Sequence, residues 1–232
     1  MEALMQIIGH RGARGLAPMN TKASIQAALQ AGVDWVEFDA RRTKDGKIVL
    51  SHDANTFRST IIPRTVSRTH SAKLLKAKTY RKQPIATLTE AFAAIGGKAK
   101  INVEIKSKGC AEQIVDHIER MVKAGAPYSH FLVSSFKVER LREIHRLNSQ
   151  IQLGLLHFRH PYTFVKLRAV RLHAVGFWRR RLPKKAIEQA KIRGLSVYVY
   201  TVNKHREAER LAARGVDRIV TDRPDKLQDL RG

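Results

Sequence analysis

Two carboxylates, Glu37 and Asp39, stand two residues apart in WVEFDA (35–40), a run that otherwise reads as a buried strand. Residues two apart on a strand share a face, so both acids point the same way. A third, Glu104, sits near the end of a second such run, KINVEIK. If the two strands are neighbours, three carboxylates lie within a few ångströms and cannot all stay ionised without a compensating cation. Oxygen-only ligation of this kind suits a hard divalent ion, Mg2+ or Ca2+, rather than zinc. One acid in such a place is more simply explained by a salt bridge to Lys or Arg; three together, with histidines at the same rim, favour the metal.

His10 and His52 each close an apolar run. They supply two groups that titrate near neutrality, as general acid–base catalysis requires. The remaining histidines, His70, His117 and His145 among them, are read as structural. The glycines of HRGARG let the backbone after the first strand approach a ligand closely. Beside them Arg11 and, from the KINVEIK strand, Lys106 can neutralise phosphate oxygens, Arg as a fork and Lys as a point charge.

The elements that must position these groups alternate along the whole chain. MQIIGH (5–10), WVEFDA, KINVEIK (100–106), FLVSSF (131–136), IQLGLLH (151–157), RLHAVGFW (171–178), LSVYVYTV (195–202) and VDRIVTD (216–222) read as strands. Helical patterns separate them, several stopped by glycine: 20–32, 86–97, 110–126, 137–148, 161–170, 182–194 and 203–215. GKIVLSH (46–52), joined to WVEFDA through the Asp45-Gly46 turn, is too close to be a full repeat and reads as an accessory hairpin arm. Eight strands with crossover helices in this length predict a (β/α)8 TIM barrel, with a doubly wound open sheet as the alternative. The chain carries no linker-like or low-complexity tract, so residues 1–232 are expected to form a single domain with a short insertion at about 53–85.

In such barrels the chemistry gathers at the C-terminal ends of the strands. His10, Glu37, Asp39, His52, Glu104 and Lys106 all fall there, as do Ser135, His157, Trp178, Tyr200, Thr201 and Asp222. Polar and aromatic groups from distant parts of the sequence are thus expected around one mouth.

At this point the motifs are recognisable. GHRGARGLAPMNT, VEFDARRTKDGKIVLSHD, NVEIK, SSF, YTVN and GVDRIVTDRPD resemble the glycerophosphodiester phosphodiesterase family, in that family's order and across residues 9–225. The resemblance implies a (β/α)8 barrel that hydrolyses glycerophosphodiesters to glycerol 3-phosphate and an alcohol with a divalent metal, Mg2+ or Ca2+. It makes Glu37, Asp39 and Glu104 the metal ligands, His10 and His52 the acid–base pair, and Arg11 and Lys106 the phosphate-binding groups. Ser135, Phe136, Trp178 and Tyr200 are expected to line the substrate pocket. The implied reaction passes through a cyclic phosphate. Two positions depart from the family pattern: Met19 stands where PENT has glutamate, and Tyr200 stands where tryptophan is common before TVN. A thioether carries no charge and is a poor ligand for a hard cation, which puts metal affinity or activity in question.

Lys and Arg number 44 against 20 Asp and Glu, a net charge of +24. Such a balance suits anionic partners and speaks to solubility and association rather than fold. Residues 57–82 contain no acid, nor do residues 144–187. The first stretch follows His52 and is expected over the barrel mouth, where a positive rim would steer phosphodiesters inward and permit peripheral contact with an anionic membrane. Two other readings follow: a lysophospholipase D working at a membrane, favoured by an open basic mouth with Phe177 and Trp178 nearby, and a non-catalytic polyanion-binding barrel, kept in view by Met19. Nucleic acid is an unexpected partner because no reading module is evident. A single cysteine, Cys110, rules out an intrachain disulfide, and no leader or 18-residue apolar run is present, so a cytoplasmic enzyme is expected. The oligomeric state is not legible.

Overall fold

The structure, a computed structural model, describes residues 5–157, 170–180 and 182–231. Nine strands follow in order: β1 (Gln6–Gly9), β2 (Trp35–Arg42), β3 (Ile48–Leu50), β4 (Lys100–Ile105), β5 (Phe131–Ser135), β6 (Gln152–His157), β7 (Ala174–Trp178), β8 (Ser196–Tyr200) and β9 (Arg218–Thr221). All except β3 pair in parallel, and β1 bonds both β2 and β9, so the eight parallel strands close into a barrel. Around it lie α1 (Lys22–Gln30), α2 (Ser71–Leu75), α3 (Leu88–Ile95), α4 (Ala111–Lys123), α5 (Val138–Leu147), α6 (Lys184–Ile192) and α7 (His205–Ala212). The expected (β/α)8 architecture is therefore present. The helix expected over 161–170 lies outside the described residues but for Val170.

Strand alternation divides the core. One face of the strands packs on the helices, through Ile7, Val36, Phe38, Val103, Val133 and Val197 among others. The other face fills the barrel with Ile8, Trp35, Leu132, Leu156, Ala174, Tyr198 and Val220. Tyr198 enters this interior because β6 and β7 present glycine to it: a Cβ on Gly176 would stand 2.5 Å from Tyr198 Cε2. Below, the Trp35 ring is flanked by Arg218 at 4.5 Å and Lys100 at 5.4 Å, so cations close the barrel floor.

β2 is longer than its neighbours. Its first six residues pair with β4, and Ala40–Arg42 turn to an antiparallel partner, β3. Glu37 and Asp39 consequently sit within the strand rather than at its last residue, while Arg41 and Arg42 belong to the hairpin arm. The segment after β3 folds onto a small cluster of its own, Val49, Val66, Leu74 and Ile85. Isolated bridges, Asn55 to Thr65, Thr60 to Thr79 and Lys78 to Pro84, pin it together. It forms a compact rim rather than a large cap. No helix among the described residues is long and apolar enough to cross a membrane.

Candidate active site

The loop from His10 to Asn20 joins β1 to α1 and carries much of the site. Thr21 caps α1 and exchanges hydrogen bonds with Ser24, whose Oγ also donates to the Arg11 carbonyl at 2.8 Å. A helix start therefore anchors the loop. Gly12 has φ +80° and lies so close to Ser24 that a Cβ would come within 2.4 Å of its backbone, so only glycine fits. This geometry aims the Arg11 N–H at Glu37 Oε2, 2.8 Å away.

Register brings the acids together. Glu37 is opposite Asn102 and Asp39 opposite Glu104 across β2 and β4. One carboxylate oxygen from each of Glu37, Asp39 and Glu104 lies within 4.8 Å of the others. Glu37 Oε1 is buried without a hydrogen-bond donor. Lys106 Nζ stands 2.5 Å from Glu104 Oε1 and 3.3 Å from Asp39 Oδ1, and Arg11 Nε is 3.2 Å from Asp39 Oδ2. Asn20, missed in the sequence reading, orients Asp39 by donating to its Oδ2 at 2.9 Å and accepting its N–H at 3.2 Å.

The two cations do not balance the three acids equally. Burial opposes ionisation of Asp39, but Lys106 and Arg11 outweigh it and hold its carboxyl well below the usual range. Burial, with Asp39 and Glu104 adding repulsion, raises Glu37 well above it. Glu104 is pushed up to about 7 by burial, which Lys106 only partly offsets. Three buried carboxylates whose ligand oxygens lie within 4.8 Å of one another, with Lys106 beside two of them, fit a hard divalent cation, and Glu37, Asp39 and Glu104 are the residues that would hold it.

Each histidine has a carboxylate behind it. His10 Nδ1 meets Asp222 Oδ1 at 2.6 Å and His52 Nδ1 meets Asp53 Oδ1 at 2.8 Å. With Nδ1 so engaged, Nε2 is the ring nitrogen left to act. Asp222 also accepts from Arg14 Nε at 2.6 Å and from Asn203 Nδ2 at 3.0 Å. Burial outweighs the Asp222 bond and, with Arg11 and Arg14 contributing, lowers the His10 imidazole to about 4. Burial likewise lowers His52, against the pull of Asp39. Asp222 was expected at the mouth, but its pairing with His10, over two hundred positions away, had no sequence signal; Asp53 was not singled out, though its adjacency to His52 was a signal that could have found it.

A cavity of about 240 Å³ opens over these groups, lined by both histidines, Arg11, Glu37, Glu104 and Lys106. Phe136, Trp178 and Tyr200 form its aromatic side. Ser135 does not line it. Glu104 pairs with Ser134, so Ser134 shares the inward face and donates to Asn102 Oδ1 at 2.9 Å. Ser135 points the other way and donates to the Ile105 carbonyl at 3.0 Å. The same parity puts Leu156 inside and turns His157 outward, stacked 5.7 Å from Phe177. Phe177 is wholly buried against the helices and does not reach the mouth. Arg11 lines the cavity, yet its guanidinium is already engaged by Asp39 and, through Nη1, by Met19 Sδ at 3.2 Å.

A closed parallel barrel with acids, histidines and cations gathered at the C-terminal ends of its strands has the layout of a (β/α)8 enzyme site. The model of the glycerophosphoryl diester phosphodiesterase family matches residues 10–226, and the chain belongs to that family. A glycerophosphodiester phosphodiesterase of Caldanaerobacter subterraneus subsp. tengcongensis is 30% identical over 239 residues, covering 97% of this chain and 96% of the relative. A lysophospholipase D of Mus musculus is 26% identical, covering 97% of this chain and 86% of its own. Among solved structures, an Oleispira antarctica phosphodiesterase in complex with the product sn-glycerol-3-phosphate superimposes with a TM-score of 0.87 at 28% identity, covering 98% of this chain and 96% of the other.

Proposed function

We propose that the chain hydrolyses glycerophosphodiesters to sn-glycerol 3-phosphate and an alcohol, with a divalent cation and two histidines, residues 1–232 acting as one catalytic unit. The observation that carries this reading is the cluster of three buried carboxylates beside two carboxylate-backed histidines at one mouth. Glu37, Asp39 and Glu104 would hold a hard cation, Mg2+ or Ca2+, which would supply Lewis acidity and a template for the substrate. Lys106 and Arg11 counter the remaining phosphate charge. One histidine takes the proton of the glycerol 2-hydroxyl as that oxygen bonds to phosphorus. The other protonates the departing alcohol oxygen as its P–O bond breaks. Water then opens the five-membered cyclic phosphate with the two histidines exchanging tasks. Phe136, Trp178 and Tyr200 wall the substrate on the side away from the loop after β1.

Lysophospholipase D action is a second reading, and a specific observation favours it. Phe57, Ile61, Ile62 and Tyr80 are exposed together on the insertion, whose residues 54–89 carry no acid. That surface suits peripheral contact with an anionic membrane. A cytoplasmic setting is consistent with Cys110, a lone thiol buried in the core. The experiment is a metal-supplemented screen of glycerophosphodiesters and lysophospholipids, reading sn-glycerol 3-phosphate and lysophosphatidate. Release of sn-glycerol 3-phosphate from soluble diesters is expected; turnover of lysolipids alone would transfer the proposal to the second reading. No turnover of either would leave a polyanion-binding barrel.

A further inference from the structure

Beside the catalytic cavity lies a second one of about 360 Å³, between the loop after β1 and the insertion. Arg14 and Met19 form one wall, and Arg58, Tyr80 and Arg81 the other. Arg14 lines both cavities, so it marks the edge they share. The acid in the second lining is Asp222, and its oxygens are taken up by His10, Arg14 and Asn203. Arg81 Nη1 donates to the Leu16 carbonyl at 3.3 Å, and the Arg58 guanidinium lies 6.0 Å from the Phe57 ring. Neither forms an ion pair with a carboxylate among the described residues. Met19 contributes a neutral thioether to the same wall. Asp222 offsets Arg14, but the charges of Arg58 and Arg81 are met by no carboxylate of the lining.

The opposite side of the catalytic mouth points the same way. Two of its three aromatic rings already have a cation beside them: Lys106 Nζ is 5.5 Å from the Phe136 ring and the Arg180 guanidinium 5.7 Å from Trp178. A quaternary ammonium would need open faces and no neighbouring positive charge. An alcohol bearing a phosphate or carboxylate instead meets guanidinium groups suited to bidentate pairing.

We infer that the second cavity receives the alcohol half of the diester and selects alcohols that carry a further anionic group. The inference rests on the hydrolase reading above. Its test compares three substrates: glycerophosphoglycerol, the same diester with a phosphate on its terminal hydroxyl, and glycerophosphocholine. Wild type should prefer the phosphorylated diester in kcat/KM by about 10-fold or more, as charge-assisted pairs provide. Arg58→Ala/Arg81→Ala should remove that preference through KM and leave the other two substrates within about 2-fold, while Arg58→Lys/Arg81→Lys should keep part of it. Equal turnover of all three by wild type, a preference for glycerophosphocholine, or a uniform loss in the alanine variant would overturn the inference. Calorimetric binding of the phosphorylated diester reads the cavity without turnover. Weakened binding in the alanine variant supports the inference even if nothing is hydrolysed, an outcome that would count against the hydrolase reading alone; unchanged binding overturns it.

Discussion

At the scale of single residues, His10 and His52 are made into a pair by the carboxylates behind them. Asp222 and Asp53 engage Nδ1, which fixes the tautomer and leaves Nε2 for proton transfer. His10→Ala and His52→Ala should each lower kcat by roughly 10²–10⁴-fold. A glycerophosphodiester with a p-nitrophenol leaving group needs no acid in the first step, so p-nitrophenol release, with the cyclic phosphate left behind, should be restored to one variant and not the other. Rescue of both, or of neither, would contradict the division of labour. His10 also sets a pH dependence of stability. Its imidazole falls from 6.5 to about 4 on folding, so between those values the unfolded chain binds a proton that the native chain does not. Stability must then fall as pH drops through that window, by about 2 kcal/mol from this group at pH 5. Denaturation midpoints of wild type and His10→Asn should converge on acidification; parallel pH profiles would remove this contribution. The residues legible beforehand were those whose own chemistry is conspicuous. Asn20 and Arg14 were not, nor was the task of Asp222 at the mouth, because each acts on another side chain brought near by closure of the barrel.

At the scale of elements, strand parity decides which side chains reach the cavity. Alternation from Glu37 and Asp39 was legible because both acids lie in one strand. Ser135 and His157 were expected at the mouth from their position at a strand end alone, but the register Glu104 to Ser134 turns the odd neighbour outward. Position along a strand is visible in composition, whereas facing depends on pairing with the next strand. The glycines of β6 and β7 show the same dependence. Gly176 admits the Tyr198 ring, and a methyl group there would also stand 2.6 Å from Leu156 Cδ2. Gly176→Ala should destabilise the protein by about 1–3 kcal/mol through overpacking. An unchanged denaturation midpoint would mean that the ring can shift at little cost.

At the scale of the whole molecule, the eight-fold repeat was visible because each strand and helix carries its own period and stop signal. Closure gathers into one mouth residues that the chain scatters from His10 to Asp222. The surplus of +24 is a separate property: it biases which ligands approach and leaves the barrel's packing untouched. Inside the mouth the balance reverses, with three acids facing Arg11 and Lys106. The claim that this acidic centre works by holding a divalent cation is most directly tested by turnover of glycerophosphoglycerol, followed as sn-glycerol 3-phosphate release before and after EDTA. Chelation should abolish release, Mg2+ or Ca2+ should restore it, and Glu37→Gln should weaken the restoration by roughly 10–100-fold in metal concentration. Undiminished release after exhaustive chelation would contradict the account.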